Sequence, residues 1–451
     1  MKKLMSGVFI LALLVIANIS VSPEPVSASK MVTHTNLYTY DMMTTQLKQL
    51  EAAYPDAIHL ESIGKTPYQR NIWAVRVGHG EANIFINGAH HGREWITTLL
   101  TMTMIETYAK SYTEQTHFQG YATKELLDQV SIWFVPMVNP DGVTLQQFGL
   151  SAFPKADHAK LIQMNSGSRD FTRWKANAQG IDLNRQYDAD WSRIRGNVKH
   201  PSWMNHKGPK PHFAPEVKAI VDFTYRIKPE IAVAYHSSGE ILFWYFHNDA
   251  SDLPRDKRLA RIYSQITGYS LVKPTRNPSG GGYTDWFIQQ FKKPGFTPEV
   301  SKGVGNQHVP VKYFSNIWSQ NDNAGIWLAS EAYKMWYPEA SKNQKVVTID
   351  NMLLLDEEET FYQYPNILRA GQGKLKQEKI RVVAQKGDWY KVNTWLGYKW
   401  IYVPDAVFEQ PAIPEGEAEQ ENQKEEVTDL EMTPEPDNKE EQNVKTQPTL
   451  E

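Results

Sequence analysis

The chain has 451 residues, of which 41% are hydrophobic and 12% aromatic, with 48 Lys and Arg against 51 Asp and Glu and no cysteine. At about 100–200 residues per domain, this length predicts two or three domains, and the apolar content indicates a globular protein. The absence of cysteine excludes disulfides, a thiolate nucleophile and any metal site built on sulfur. Catalysis or metal binding must therefore rest on histidine, carboxylate, hydroxyl and basic side chains.

The charge is unevenly distributed along the chain. Residues 409–451 contain 14 Asp and Glu and 3 Lys, so the remaining residues carry 45 basic and 37 acidic side chains. This segment has no aromatic residue and several prolines, and it cannot bury enough apolar surface to offset the entropy lost on ordering. We expect a disordered acidic tail, and the modest, dispersed basic excess elsewhere argues against nucleic-acid binding.

The first 29 residues have the pattern of an export signal. Lys2 and Lys3 precede an apolar run from Val8 to Ile19, and a small-residue processing site, Val26-Ser27-Ala28, follows. The alternative is a transmembrane anchor, but the run is short for a span of about 20 residues. We therefore predict a signal peptide over 1–29 and a secreted, extracellular protein with no integral membrane span after cleavage.

Residues 35–338 alternate between helical and strand-like patterns. The predicted helices are Leu47–Tyr54 and Trp95–Tyr112, and the predicted strands are Ile72–Val77, Ala82–Gly88, Val130–Pro136, Ile231–His236 and Gly295–Val300. Strands separated by helices over about 300 residues indicate one α/β domain with a mostly parallel or mixed sheet. Functional residues of such sheets cluster beyond the carboxyl ends of the strands.

The pattern changes near Lys345. Three short strands are predicted at Arg381–Ala384, Trp389–Val392 and Tyr398–Ile401, separated by turn sequences that contain Gly387 and Gly397. Closely spaced strands of this kind predict a small β-barrel, which we assign to residues 345–408.

The strongest local motif follows the predicted strand Ala82–Gly88. His91 and Glu94 are three residues apart at the start of a helix, so both side chains can face one point and bind zinc. The alternative is a polar loop in which Glu94 pairs with Arg93 or with the helix N-terminus. His90, four residues before Glu94, leaves the choice of histidine open.

A third ligand is available at the end of another predicted strand. His236 follows the apolar run Ile231–Tyr235 and precedes two serines and a glycine. A catalytic zinc site needs three protein ligands and an open position, and His236 can complete such a set. A structural histidine that hydrogen-bonds at the strand terminus is the alternative.

Two further polar segments carry chemistry. Arg185 beside Asn184 is suited to hold a substrate carboxylate, and Asp182 can accept the second N–H of a metal-bound histidine. Glu299 lies among apolar residues, where burial would raise its pKa and suit it to general-base work. Surface salt bridges, and for Glu299 an ion pair with a lysine, are the alternatives.

Together these segments resemble the M14 zinc metallocarboxypeptidases, the carboxypeptidase A/B superfamily, over about residues 35–338. The matching motifs, in the family's order, are His91-Gly92-Arg93-Glu94-Trp95-Ile96, Asn139-Pro140-Asp141-Gly142, Asp182-Leu183-Asn184-Arg185, Tyr235-His236-Ser237, and Asp285-Trp286 followed by Glu299. The resemblance implies a mixed eight-stranded sheet flanked by helices.

The same resemblance implies a role for each matching residue. His91, Glu94 and His236 would be the zinc ligands, and Glu299 would be the general base and acid. Arg93 would polarise the scissile carbonyl, and Asn184 and Arg185 would bind the terminal carboxylate of the substrate. Asp182 would be the carboxylate behind the first zinc-binding histidine. One Zn²⁺ per catalytic domain would be the cofactor.

Two positions depart from the family's pattern. In the matching register the oxyanion-stabilising arginine becomes Lys175, a point charge in place of a fork, and the neighbouring Arg173 is the alternative. The mobile tyrosine that covers the substrate falls on Asn277, and the nearest tyrosine is Tyr283. The resemblance therefore implies the oxyanion role for Lys175, whereas the role of the mobile tyrosine does not carry over to Tyr283.

The run from Trp174 to Arg185 is most similar to the bacterial γ-D-glutamyl-diaminopimelate peptidase branch, which cuts peptidoglycan stem peptides. The segment from Lys386 to Ile401 resembles bacterial SH3 modules that accompany cell-wall enzymes. We therefore expect a peptide or stem-peptide substrate, with cell-wall association through residues 345–408. A secreted carboxypeptidase for ordinary peptides, a zinc amidase or deacylase, and a non-catalytic wall-binding protein stay open as alternatives.

Overall fold

A computed structural model describes residues 30–33 and 36–409. The predicted signal peptide and, apart from Glu409, the predicted acidic tail lie outside the described residues. The chain divides into two compact units between Gln344 and Lys345. Within the described residues, no helix combines the length and the apolar character needed to cross a membrane.

The first unit contains ten α-helices and ten strands among its described residues, together with short 3₁₀ helices. The helices are α1 Tyr40–Ala53, α2 Ile96–Thr113, α3 Thr123–Leu127, α4 Pro140–Phe148, α5 His158–Met164, α6 Pro215–Ile227, α7 Leu253–Thr267, α8 Tyr283–Phe291, α9 Phe314–Asn321 and α10 Ala324–Ala340. The strands are β1 Ile58–Lys65, β2 Asn71–Val77, β3 Ala82–Gly88, β4 His117–Phe118, β5 Tyr121–Ala122, β6 Val130–Val135, β7 Ile231–Ser237, β8 Ile241–Phe243, β9 Ser270–Leu271 and β10 Gly295–Val300.

Eight of these strands form one mixed sheet in the order β1-β2-β6-β3-β7-β10-β8-β9. The central strands β6, β3, β7 and β10 run parallel, whereas β1, β2 and β6 pair antiparallel, as do β10 and β8. The predicted eight-stranded mixed sheet is confirmed. The sequence patterns did not predict β1, β8 and β9, because these strands alternate weakly or have only two or three residues.

Burial explains why the central elements form. All six residues of β6 are buried, as expected for a strand covered on both faces. Helix α6 presents one apolar face, and Val217, Ile220 and Phe223 pack with Phe85 of β3 in the same core cluster. Helix α2 is buried along most of its length, which agrees with the continuous apolar pattern that predicted it.

The sheet topology brings the candidate residues to one edge. His91 follows the end of β3, His236 lies near the end of β7, and Glu299 lies near the end of β10. Because these three strands are parallel, their carboxyl ends meet at the same edge of the sheet. The register places Glu299 directly opposite His236.

The second unit contains one antiparallel sheet of seven strands within the described residues. The strands are β11 Val347–Leu354, β12 Glu359–Tyr362, β13 Gly373–Leu375, β14 Lys379–Lys386, β15 Trp389–Thr394, β16 Gly397–Tyr402 and β17 Val407–Phe408, in the order β13-β12-β16-β15-β14-β11-β17. Leu353, Phe361, Val382, Val392 and Ile401 form its core. This sheet is consistent with the predicted small β domain, and its likeness to SH3 modules stays a prediction.

Candidate active site

Three buried side chains converge at the carboxyl edge of the sheet. Glu94 Oε1 lies 2.8 Å from His91 Nδ1, and Glu94 Oε2 lies 2.9 Å from His236 Nδ1. The two Nδ1 atoms are 3.1 Å apart, and each of the three residues offers a ligand atom within 4.8 Å of the others. The structure therefore brings the three predicted metal ligands together.

A tight turn after β3 aims His91 and Glu94 at one point. The turn is a 3₁₀ helix over Gly92–Glu94, so the two side chains lie on the same face. At Gly92 a Cβ atom would lie 2.5 Å from the carbonyl oxygen of Gly142, so the backbone of α4 requires glycine there.

Asn139, the N-cap of α4, ties this turn to a neighbouring loop. Its Nδ2 donates to the carbonyls of His90 at 3.0 Å and Ala176 at 3.2 Å, while its Oδ1 accepts from the backbone N–H of Gly142 at 2.9 Å. The family motif that contains Asn139 thus connects the ligand-bearing turn to the segment that carries Lys175.

His90 faces away from the metal-ligand cluster. Its Nε2 lies 2.9 Å from the Tyr187 hydroxyl, and its ring stacks against His236 with centroids 5.5 Å apart. Complete burial holds the pKa of His90 well below its ordinary value, so the ring is neutral. The choice that the sequence left open between His90 and His91 is resolved by geometry in favour of His91.

Asp182 lies behind His91 at the centre of a polar network. Its Oδ1 is 3.1 Å from His91 Nε2, and its Oδ2 is 3.2 Å from Lys175 Nζ. Burial alone would raise the pKa of Asp182, but the charge of Lys175 and the contact with His91 hold it well below the ordinary range. The buried carboxylate is therefore ionised, as the predicted support for a metal-binding histidine requires.

Glu299 lies opposite His236 and lines the cavity next to the cluster. Burial, reinforced by the negative charge of Glu94, raises the pKa of Glu299 to about 7. A carboxylate with such a pKa can both accept and return a proton near neutral pH. Its placement suits the predicted general base.

The cavity beside these residues has a volume of about 420 Å³. Its wall carries four basic and three acidic side chains, together with apolar residues of β8 and the loops that follow. The basic residues are Lys175, Arg185, Arg195 and Lys273, and the acidic residues are Asp182, Asp285 and Glu299. A pocket lined in this way suits a small charged ligand that carries more than one ionised group.

The predicted carboxylate-binding pair lines this cavity. Asn184 Oδ1 accepts from the backbone N–H of Tyr283 at 3.0 Å, which fixes the amide. Arg185 Nη1 donates to the carbonyl of Arg195 at 2.7 Å and to Asn197 Oδ1 at 3.1 Å. Held in this way, the Arg185 guanidinium is oriented before any ligand binds.

The two arginines near the turn have different placements. Arg93 Nη1 donates to the carbonyl of Arg173 and to Asn306 Oδ1, both at 3.2 Å, and the Arg93 charge acts to lower the pKa of Glu299. The guanidinium of Arg173 instead stacks 4.2 Å from the Trp203 ring centroid and donates to the carbonyl of Asn165. Lys175 lines the cavity, whereas Arg173 is not among its lining residues.

The position of the family's mobile tyrosine has no equivalent side chain here. Tyr283 has no exposed surface, and its hydroxyl lies 3.2 Å from Thr224 Oγ1. It is a core residue because the first turn of α8 directs it into the sheet. The carbonyl of Asn277, at the matching position, accepts a hydrogen bond from Arg195 Nη2 at 2.9 Å.

Comparison with known proteins identifies the family of the chain. Residues 43–324 match the zinc carboxypeptidase family, peptidase family M14. The chain belongs to this family. It is a zinc metallopeptidase by that membership, and the candidate metal ligands all lie within the matched region.

Two relatives and one structure illustrate the range of similarity within the family. The chain is 34% identical over 296 residues to γ-D-glutamyl-L-diamino acid endopeptidase 1 of Lysinibacillus sphaericus, covering 65% of this chain and 72% of that protein. It is 24% identical over 286 residues to carboxypeptidase B of Rattus norvegicus, covering 59% and 64%. The crystal structure of thrombin-activatable fibrinolysis inhibitor aligns with a TM-score of 0.55 at 19% identity, covering 70% and 79%, and shares the fold.

The zinc that the family requires fits the residues present. Because His91 Nε2 faces the ionised Asp182, the proton of a neutral His91 lies on Nε2 and a lone pair lies on Nδ1. That lone pair and Glu94 Oε1 lie 2.8 Å apart in a buried site, so one divalent cation can take both atoms as ligands. Two imidazoles and one carboxylate are also the donor set of known catalytic zinc sites.

Some residues of the site were not found by sequence reasoning. Arg195 and Lys273 line the cavity, but each lies in a loop without a recognisable motif or periodicity. Asn139 belonged to a matching motif, yet its role as a bridge between two loops depends on contacts between distant parts of the chain. Only the folded structure reveals these placements.

Proposed function

We propose that this zinc metallopeptidase is exported and hydrolyses the bond between γ-D-glutamate and diaminopimelate in peptidoglycan stem peptides. The observation that carries the proposal is the 34% identity to an enzyme named γ-D-glutamyl-L-diamino acid endopeptidase. The four basic side chains of the cavity wall support it, because cations bind the two carboxylates of diaminopimelate.

His91, Glu94 and His236 would hold the zinc, which, when bound, polarises the scissile carbonyl and lowers the pKa of a water molecule. Glu299 accepts the proton as the water attacks and returns it to the leaving amine. Lys175 and Arg93 supply positive charge near the developing oxyanion. Asp182 keeps the His91 ring in one orientation throughout.

The substrate is held on its leaving-group side. Arg185 binds a carboxylate of the residue beyond the cleaved bond, and Asn184 assists it. The hydrogen bonds from Arg185 to Arg195 and Asn197 fix the guanidinium, so little side-chain freedom is lost on binding.

The test uses two defined peptides and product identification by mass spectrometry. The purified, zinc-loaded protein is incubated with L-Ala-γ-D-Glu-meso-diaminopimelate and with an ordinary L-peptide, with and without chelator. We expect chelator-sensitive release of diaminopimelate from the first peptide. Release of single C-terminal residues from the L-peptide alone would overturn the proposal.

That second outcome corresponds to an alternative with its own support. The 24% identity to carboxypeptidase B favours a secreted carboxypeptidase that removes C-terminal residues from ordinary peptides. Both enzymes would use the same zinc ligands and the same general base, so only the substrate comparison separates them.

Export and wall association form the remaining part of the proposal. The pattern of residues 1–29 supports export, and sequencing the N-terminus of protein recovered from the culture medium tests it. In the second unit, Trp395 and Tyr398 expose 67% and 54% of their surface and offer stacking positions to a wall fragment. Wall association through residues 345–408 is tested by cosedimentation of the full-length protein, and of its Trp395→Ala variant, with purified cell wall.

A further inference from the structure

The cavity wall includes two basic side chains, Arg195 and Lys273, to which the proposed mechanism gives no role. We propose that Arg195 and Lys273 form a second carboxylate subsite, which takes the side-chain carboxylate of a diaminopimelyl leaving group. The inference rests on the proposed function. It adds that the site selects diaminopimelate over lysine.

The charges of these two residues are unmatched. Lys175 and Arg185 both approach Asp182, at 3.2 and 3.6 Å. By contrast, among the carboxylates of the described residues, none forms an ion pair with Arg195 or Lys273, although both side chains line the cavity. Two cations at one cavity wall without an acidic partner favour an anionic ligand group there.

Arg195 is positioned beside the first carboxylate site. Its carbonyl accepts from Arg185 Nη1 at 2.7 Å, its Nη2 donates to the carbonyl of Asn277 at 2.9 Å, and its backbone N–H donates to Ser279 Oγ. These bonds join the segment of Arg195 to the loop that follows Lys273. Arg195 therefore lies next to Arg185, as two carboxylates of one small residue require, and Lys273 lines the same cavity.

A second carboxylate subsite would let the enzyme distinguish diaminopimelate from lysine. Diaminopimelate carries an ammonium and a carboxylate at the end of its side chain, whereas lysine carries the ammonium alone. Asp285 lines the same cavity and can face the ammonium that both share. Only Arg195 and Lys273 would contact the group that lysine lacks.

A carboxylate could also come from the other side of the bond, since the α-carboxylate of D-glutamate is free in the stem peptide. The two sources are separated by a substrate in which that carboxylate is an amide. If the subsite holds diaminopimelate, the Arg195 and Lys273 variants lose activity on this substrate to the same extent as on the unmodified peptide.

The experiment measures kcat/KM of the zinc-loaded full-length enzyme on three peptides: L-Ala-γ-D-Glu-meso-diaminopimelate, its L-lysine analogue, and the diaminopimelate peptide with an amidated D-glutamyl α-carboxylate. We expect the doubly substituted Arg195→Gln, Lys273→Ala enzyme to lose at least ten-fold of its preference for diaminopimelate over lysine, mainly through KM. Arg193→Gln is the matched control, because Arg193 is 75% exposed and pairs with Asp190. An unchanged preference ratio, or a loss that the amidated peptide abolishes, overturns the subsite.

A binding measurement separates this inference from the proposed function. Free meso-diaminopimelate and free L-lysine are titrated calorimetrically into the wild-type and doubly substituted proteins. Binding of diaminopimelate that weakens at least ten-fold in the variant supports the subsite even if neither stem peptide is cleaved, in which case the proposed function alone fails. Equal binding of diaminopimelate to both proteins, or no binding, overturns the subsite.

Discussion

Asp182 Oδ1 lies 3.1 Å from His91 Nε2, on the side of the ring opposite the metal-ligand cluster. The Asp182 side chain is fully buried and also accepts from the backbone N–H groups of Asn184 and Asn205. These contacts fix the carboxylate, and the carboxylate in turn fixes the tautomer and direction of His91. We therefore expect metal affinity to depend on Asp182, although this residue is not one of the candidate ligands.

We predict that Asp182→Asn lowers zinc affinity about 10–100-fold. The amide is a weaker acceptor, and it can turn its NH₂ group towards His91, which would favour the wrong tautomer. Competition with a calibrated chelator measures the change. Asp222→Asn, at an exposed position on α6, is the control that should keep wild-type affinity. Unaltered affinity in Asp182→Asn would show that Asp182 does not support the ligand.

The central part of the fold was predictable from the sequence because local pattern and burial agree there. The ends of β3 and β10 coincide with the predicted ends at Gly88 and Val300, and the candidate ligands lie after or near such strand ends. Apolar runs bounded by glycine or polar residues carry this information without tertiary contacts. The convergence of His91, Glu94 and His236 then follows from parallel strands meeting at one edge.

Glu299→Gln should reduce kcat by about 10²–10⁴-fold while zinc stays bound. The amide keeps the shape of the side chain but cannot accept the proton of the attacking water. Mass spectrometry of the metal content and steady-state kinetics on the preferred peptide test both parts. Retained turnover with full zinc occupancy would remove Glu299 from the role of general base.

Substitution of Lys175 should lower catalytic activity, whereas substitution of Arg173 should lower stability. Lys175→Met is expected to lower kcat by about 10²-fold, since a cation at the cavity wall is lost. Arg173→Ala should leave kcat within about two-fold but lower the free energy of unfolding by roughly 1–2 kcal/mol, because the stacking on Trp203 is lost. Kinetics and urea denaturation of both variants provide the comparison. The reverse pattern would return the oxyanion role to Arg173.

The sequence alone could not predict which of Arg173 and Lys175 lines the cavity. Arg173 and Lys175 flank the buried Trp174, and only the packing of that loop against Trp203 decides which cation reaches the cavity. Tyr283 was the nearest tyrosine in the sequence, yet the start of α8 directs it into the core. Side-chain direction in loops and at helix starts depends on distant contacts, which no local pattern contains.

Removal of zinc should abolish activity and also lower thermal stability. The cation binds the folded site, in which the three ligands converge, and not the unfolded chain, so its loss removes a stabilising contribution. Saturation at 100 to 1,000 times Kd corresponds to about 2.7–4.1 kcal/mol of stabilisation. Calorimetry before and after chelation, followed by zinc restoration, measures the effect, and Glu299→Gln should show the same shift. Full activity in metal-free protein would contradict the assignment of the cofactor.

Glu216 allows a prediction about stability that is independent of catalysis. It lies in the first turn of α6 with no exposed surface, its Oε1 accepts from Asn177 Nδ2 at 3.2 Å, and its Oε2 is buried without a partner among the described residues. Burial raises the pKa of Glu216 to about 7, against 4.5 for an ordinary glutamate. The folded protein therefore retains a proton that the unfolded chain loses first as the pH rises.

Between pH 4.5 and 7 the contribution of Glu216 to stability falls as the pH increases, and above pH 7 the full penalty of roughly 3 kcal/mol applies. Glu216→Gln keeps the contact with Asn177 but cannot ionise. We expect equal stability of variant and wild type at pH 4.5 and a more stable variant at pH 8, measured by urea denaturation of zinc-loaded protein. Asp222→Asn on the same helix controls for surface charge and should show no such divergence. The same difference at both pH values would mean that Glu216 ionises normally within the fold.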